Sequence, residues 1–433
     1  MQIKKRRGIF YGWWVLAACF VIGMYTSGVI YYGFTALFEP IVNEFGWSHA
    51  QISFASSLRG MEIGLLAPIV GYLVDRFGAK PILFIGGVIT GIGALVLTRI
   101  NSLATFYGAF ILLSIGLSAC SSTAMIAAVA NWFHRKASLA IGIMISGFGL
   151  SGLMVPVVVK LIDTAGWRRA NFILGIGLFI VVLPLSLMVR RRPEDYGSLP
   201  DGDTAPASSD SPEREAPVEG ANLTSKQALV CPTFWFLSII LAFQHMLTSS
   251  VTTHIMPYFS SINISRDVAG LAATGIPVIS IAGRLGFGWL GDRLNKKYLT
   301  AAGFLMLFVG LLIFWGMRAG WFFPMTIFVI LFGIGFGATN TMRAVLTRDC
   351  FGRQNFATIY GLVSGISMLG SIIGAPLSGY VYDELRTYRP VWLAFAFIAL
   401  GCFVTMFFMP QVKVSGKEQT TASEEVKAGV GRK

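Results

Sequence analysis

Few side chains in this sequence can handle charge inside an apolar phase. Arg284, in Ser280-Ile-Ala-Gly283-Arg284, stands deep in an apolar segment with no Asp or Glu within four residues on either side. A guanidinium inside a membrane costs several kcal/mol unless it is paired or hydrated. Its planar fork matches a carboxylate bidentately, which lysine cannot do. Two readings follow: Arg284 faces a watered cavity and binds an anion, or it pairs with a distant helix or with backbone carbonyls. Arg59 and Glu62 are three residues apart and share a helix face. Glu62 is then either a proton carrier tuned by Arg59 and by substrate, or half of a self-neutralising pair.

Histidine titrates near neutrality and can move protons. His254 lies in Thr252-Thr253-His254-Ile-Met-Pro257-Tyr258, where the proline is expected to break the helix and free a carbonyl at a cavity wall. The bland reading is a satisfied hydrogen-bonding histidine, and His245 is a weaker candidate of the same kind. Tyr31 and Tyr32 offer hydroxyls that donate to a carboxylate without adding charge, or else they pack as aromatics. Asn340 and Asn131 extend the polar set. Arg343, followed by Arg348 and Asp349, sits near the end of its segment and reads as a gate ion pair or an interfacial snorkel.

The elements that must position these groups are membrane helices. The chain is 55% hydrophobic and 13% charged, with a mean hydropathy of +0.68, which excludes an ordinary soluble globule. Its apolar residues come in blocks of about 20, the length a bilayer-spanning helix needs. Twelve are expected, near residues 13–38, 50–74, 81–99, 104–130, 137–163, 170–189, 233–259, 268–291, 299–317, 322–348, 356–382 and 390–410. The 49 glycines suit closely packed membrane helices. The apolar run after Lys4–Arg7 is about 25 residues, too long for a signal-peptide core, so no cleaved leader is expected. The five cysteines are scattered and match no zinc or haem spacing, so no metal or cofactor is expected.

The formal charge of +13 follows topology and points to no nucleic-acid partner. With the N-terminus inside, 23 of the 34 Lys and Arg fall in inner segments and seven in outer loops. The positive-inside rule then places both termini in the cytoplasm of a multi-pass plasma (inner) membrane protein. Residues 190–232, rich in Arg, Asp, Glu, Pro and Ser, are expected to form a flexible cytoplasmic linker. The division is a tail at 1–12, a six-helix bundle at 13–189, the linker, a second six-helix bundle at 233–410 and a tail at 411–433.

The two bundles repeat each other. Gly71-Tyr-Leu-Val-Asp75-Arg76-Phe-Gly78-Ala-Lys80 returns as Gly288-Trp-Leu-Gly-Asp292-Arg293-Leu-Asn295-Lys-Lys297, with the aspartates 217 residues apart. Thr26-Ser27 answers Thr248-Ser249 at an offset of 222, Ser146-Gly147 answers Ser364-Gly365 at 218, and Pro156 answers Pro376 at 220. An even number of helices separates equivalent positions, so the repeats are parallel, as in many secondary transporters.

The Gly71–Lys80 loop resembles the signature of the major facilitator superfamily, and the resemblance covers residues 10–410. It implies an all-α fold of twelve helices in two pseudo-symmetric bundles. It also implies a gate role for Gly71, Asp75, Arg76, Gly78, Asp292 and Arg293, with Arg343 added from its position. Asp75 can pair there with arginine or with a neighbouring helix N-terminus. Tyr11-Gly12-Trp13-Trp14-Val15, Phe45-Gly46-Trp47-Ser48 and the arginine ahead of Gly288 resemble the monocarboxylate transporters and the oxalate:formate antiporters. That branch implies that Arg284 receives a substrate carboxylate. The chain departs from it at Tyr32, which stands in place of a lysine, and at Ser280, in place of an aspartate. It also lacks a cation in residues 356–382, which argues for one carboxylate rather than two.

The function expected is secondary transport of a small organic anion, most simply a monocarboxylate, by alternating access with proton symport or anion exchange. Arg284, Tyr31, Tyr32, His254 and Asn340 are the substrate candidates, and Glu62, Arg59 and His254 the proton-coupling ones. The alternative is a proton-coupled exporter of drugs or other organic solutes centred on Glu62, helped by Gly370-x-x-x-Gly374-x-Pro376. An enzyme would need a nucleophile–base or metal grouping, and the sequence offers none. The expected partners are the carboxylate, protons and the lipid bilayer.

Overall fold

The computed structural model describes residues 10–47, 49–196, 199–202, 223–320 and 322–410. Among these it is all helix and connection. The first membrane helix, α1, is Tyr11–Thr26, continued by a π-helical turn at Ser27–Tyr32 and by Gly33–Phe45. Next come α2 (His49–Phe77), α3 (Ala79–Leu97) and α4, the last made of Leu103–Ala119 and Ser122–Trp132. Helix α5 is Ala137–Leu150, a 3-10 turn at Ser151–Met154, and Val155–Ala165; α6 is Trp167–Met188. The second half holds α7 (Pro232–Ser261), α8 (Arg266–Gly291), α9 (Lys296–Trp315), α10 (Phe322–Phe351), α11 (Phe356–Leu385) and α12 (Arg389–Met406). Eleven described segments are long and apolar enough to cross a membrane. The twelfth helix, α2, is 29 residues long, about 43 Å at 1.5 Å per residue. Its middle is more polar, with Ser56, Ser57, Arg59 and Glu62 in sequence.

Local sequence sets the breaks. Ser102 and Thr105 form a capping box that starts α4, and Pro232 occupies the first turn of α7, where its missing N–H costs nothing. Gly28, in the π turn, lies against the 3-10 turn of α5; a Cβ there would stand 2.6 Å from Met154 Cγ and 3.0 Å from the Ser151 carbonyl oxygen. The two helix irregularities therefore face each other inside the N-terminal half. At one end of that half, Glu44 pairs with Arg168 and accepts from Trp167 Nε1 at 2.6 Å. Arg168 also donates to the carbonyls of Thr98 and Ile100, which ties α1, the α3–α4 connection and α6 together.

The halves meet along two seams, α2 against α11 and α5 against α8. Both seams are closed at the end where Tyr11 bonds the Met188 carbonyl and Thr233 bonds the Pro410 carbonyl; we call this end the linker side. There the Asp75 carboxylate accepts from the amides of Ala357 at 3.1 Å and Thr358 at 2.7 Å and from the Thr358 hydroxyl at 2.6 Å. Asp292 does the same for α5, accepting from the amides of Ser138 at 2.8 Å and Leu139 at 3.1 Å. Each carboxylate thus caps a helix N-terminus of the opposite half, where orphan N–H groups and the helix dipole favour negative charge. Burial pushes the Asp292 carboxyl above the ordinary carboxylate range, and the two amides oppose that shift.

The glycine four residues before each aspartate lets the capped helix come close. A Cβ at Gly71 would collide with the Ala357 carbonyl oxygen, and one at Gly288 would lie 2.9 Å from that of Ser138. Gly78 has φ +87°, a value that strongly favours glycine. Asn295, in its place in the second copy, has φ −65° and caps the Lys297 amide, so no glycine is required there. Arg76 and Arg293 lie on aromatic rings of their own helices: Arg76 reaches Tyr72 Oη at 3.2 Å and the Phe77 ring at 5.3 Å, and Arg293 stacks 4.0 Å over Trp289. Two more cross-half bonds cap the C-terminus of α4, from Arg348 to the Phe133 carbonyl (2.8 Å) and from Arg353 to the Asn131 carbonyl (2.6 Å).

Charge-assisted hydrogen bonds of this kind contribute about 2 kcal/mol per latch. Asp75→Ala or Asp292→Ala should each shift the closed-to-open ratio on the linker side by roughly 30-fold. Distances between spin labels at Lys136 and Gln354, both exposed, would show this as a new, longer population; an unchanged distribution would contradict it. A Cβ at Gly142 would stand 2.5 Å from the Arg284 carbonyl oxygen, so Gly142→Val should overpack the α5–α8 seam at a cost of about 2 kcal/mol. A melting temperature equal to wild type would count against that packing.

Candidate transport site

Helix α8 carries Arg284 into the seam with α5. The residue is 7% exposed, and its Nη1 donates to the Ile145 carbonyl at 2.8 Å. The guanidinium carbon lies 6.0 Å from the centre of the Phe336 ring on α10. Gly149 makes room for it, since a Cβ there would sit 2.6 Å from Nη1. Arg284 therefore bridges the two halves in a buried setting, where a hydrogen bond to a charged group is strong. Of the two readings of this arginine, the contact with a backbone carbonyl of another helix is present.

Helix α10 lays Phe336, Asn340 and Arg343 on one face, at i, i+4 and i+7. Asn340 donates to the Phe336 carbonyl of its own helix at 2.9 Å. Arg343, expected at the gate, instead points Nη1 at His245 Nε2 on α7, 2.6 Å away, with the Tyr360 ring at 5.3 Å. The other nitrogen of His245, Nδ1, lies 3.4 Å from Ser371 Oγ on α11.

His254 is fully engaged elsewhere. Its Nε2 lies 2.8 Å from the Ala375 carbonyl and its Nδ1 3.3 Å from the Tyr388 hydroxyl. A carbonyl only accepts, so Nε2 is the donor in that bond. This ring ties α7 to α11 and to the start of α12, while Arg284 is bonded to α5. The break expected at Pro257 is not found, since α7 is helical from Pro232 to Ser261. The side chains of Tyr31, Tyr32, Arg59 and Glu62 lie outside the described residues; their backbones fall in the π turn of α1 and on α2.

A cavity of about 810 Å3 opens on the linker side, with Asn131, Arg135, Asp292, Lys296, Arg348 and Arg353 in its wall. Two ion pairs lie in this wall, Lys296 with Asp349 and Arg353 with Glu194 at 3.8 Å. Arg284 is not among its lining residues, whereas Asp292 and its partner Ser138 are. Asn131, considered for the central cavity, lines this one. Arg348 and Arg353 are cross-half residues outside the set expected from the sequence. A signal was available for the second: Arg135 and Arg353 are 218 residues apart, the offset that relates Ser146 to Ser364.

The family model of the Major Facilitator Superfamily matches residues 14–261 and 239–430. Among curated proteins, monocarboxylate transporter 12 of Xenopus laevis is 25% identical, over 92% of this chain and 88% of its own length. Monocarboxylate transporter 11 of Mus musculus is 26% identical, over 92% and 87%. Among solved structures, the E. coli fucose:proton symporter FucP superposes with a TM-score of 0.71 at 13% identity, covering 92% of this chain and 98% of that one. The proton:xylose symporter XylE gives 0.71 at 14%, covering 93% and 97%. With twelve helices in two facing bundles, latched by the paired Gly-x-x-x-Asp-Arg loops, the chain belongs to the major facilitator superfamily, as a secondary transporter that resembles its monocarboxylate-transporter members.

Proposed function

We propose that this protein carries small organic anions, monocarboxylates first, across the membrane by alternating access, with the linker side facing the cytoplasm. The observation that carries this reading is the buried Arg284 guanidinium held at the seam by a backbone carbonyl of the opposite half. A carbonyl is a neutral acceptor. A carboxylate brings a full opposite charge and can take two parallel N–H bonds from the guanidinium, so it outcompetes Ile145 for it. Ligand arrival therefore removes a contact that holds α8 to α5, which couples binding to separation of the seam. The anion also neutralises the charge that the closing bundles must bury. The resemblance to named monocarboxylate transporters supports the substrate class, and the aromatic ring of Phe336 beside the guanidinium suits a small ligand with an apolar end.

Pyruvate or lactate at about 100 times its dissociation constant should stabilise the purified protein by ~2.7 kcal/mol. In Arg284→Ala that stabilisation should vanish, because loss of a buried charge partner weakens binding by roughly 100-fold or more. Arg284→Lys should recover only part of it, since lysine cannot bind bidentately. A thermal-shift panel of acetate, lactate, pyruvate and oxalate checks this. If no acid stabilises the wild type, or if Arg284→Ala responds equally, the carboxylate reading fails and exporter chemistry becomes the better account.

A further inference from the structure

The polar cluster of the C-terminal half contains a buried histidine that an arginine faces at hydrogen-bond distance. Arginine has only donors to offer. With Arg343 Nη1 at 2.6 Å, His245 Nε2 must present its lone pair, and the ring is the neutral tautomer with its proton on Nδ1, directed at Ser371 Oγ. A proton on Nε2 would set two donors and two positive charges against each other, so His245 cannot become an imidazolium while this contact holds. An anion that draws the guanidinium away exposes the lone pair and also compensates the new charge.

Arg343 is placed to meet such an anion. It shares a face of α10 with Phe336, which borders Arg284, and positions 336 and 343 are about 10 Å apart along the helix axis. Among the described residues, Arg343 Nε has no hydrogen-bond partner, so its donor set is incompletely used in this closed form. Among the described residues, two groups face His245. Helix α10 brings Arg343 and α11 brings Ser371, while Arg284 of α8 is directed at α5. Lys226 of the short helix before α7, Asp383 and Glu384 near the end of α11, and Arg389 at the start of α12 belong to the ends of the bundle.

We propose that His245 is the proton-binding residue of the carrier and that Arg343 is its gate, so that a carboxylate passing Arg343 admits one proton to His245 Nε2. This deepens the carboxylate reading and rests on it. In the step a hydronium O–H bond breaks as the N–H bond forms at Nε2, leaving a neutral water and no change of oxidation state. The anion and the proton cross as a neutral pair, and the proton leaves when Arg343 returns to the histidine.

The test is nitrogen-15 NMR of histidine-labelled wild-type protein in detergent at neutral pH, with the His245 signal assigned by His245→Gln. Without ligand, His245 should give the neutral Nδ1–H tautomer; saturation with pyruvate should convert it to imidazolium. A pH dye in weak buffer should report about one proton taken up per pyruvate bound, falling roughly tenfold or more in His245→Gln. In Arg343→Ala the ligand-free ring should lose its bias toward the Nδ1–H tautomer, because no donor then faces Nε2. A His245 signal that stays neutral with pyruvate bound, or uptake that persists in His245→Gln, would overturn the proposal. The NMR arm reads the wild type, so it holds even if a variant is unstable. Failure of pyruvate to bind wild type would instead defeat the carboxylate reading, and the coupling would fall with it.

Discussion

A helix that begins at a domain boundary exposes N–H groups that must find acceptors, and in this protein the opposite half supplies them. The Asp75 carboxylate sits on the first turn of α11 and the Asp292 carboxylate on the first turn of α5. Much of the surrounding sequence follows from that constraint. The glycine one turn before each aspartate removes the side chain that would block the approach, and the following arginine is turned aside onto its own helix's aromatic residues. Because both contacts join different halves, they can hold one closed state and must be given up to reach the other. A pair of ~2 kcal/mol latches makes such a switch decisive without making it irreversible.

Arg284 belongs to the same logic at greater depth. A latch at the membrane surface can exchange its partners for water, whereas a buried guanidinium needs an acceptor in each state. The Ile145 carbonyl serves in the closed form, and a carboxylate is the natural replacement when the seam parts. Further along α10, Arg343 and His245 repeat the theme with a titratable acceptor. The polar groups of the interior thus include two arginines that each donate to a neutral acceptor on another helix.

The repeat marks the equivalent positions of the two capping contacts in the sequence. The 217-residue offset pairs Gly71 with Gly288 and Asp75 with Asp292, and each pair does the same job in three dimensions. Arg284 stood out because charge without a local partner is rare in an apolar run. Other features depended on contacts between helices far apart in sequence. Nothing in the α7 sequence reveals that His254 is held by Tyr388 and the Ala375 carbonyl, or that His245 meets Arg343. Arg343 looked like a gate residue because it lies near the end of α10, yet its long side chain reaches inward to α7. The π turn of α1 escaped notice because Thr26–Tyr32 reads as uninterrupted helix, and only the packing of Gly28 on the 3-10 turn of α5 accounts for it.

The central claim is that a carboxylate displaces the Ile145 carbonyl from Arg284. A structure determined with pyruvate bound tests it most directly. The account predicts carboxylate oxygens within about 2.7–2.9 Å of the Arg284 guanidinium, with the bond to Ile145 broken and α5 and α8 less tightly joined. Pyruvate bound elsewhere, with Arg284 still donating to Ile145, would contradict it.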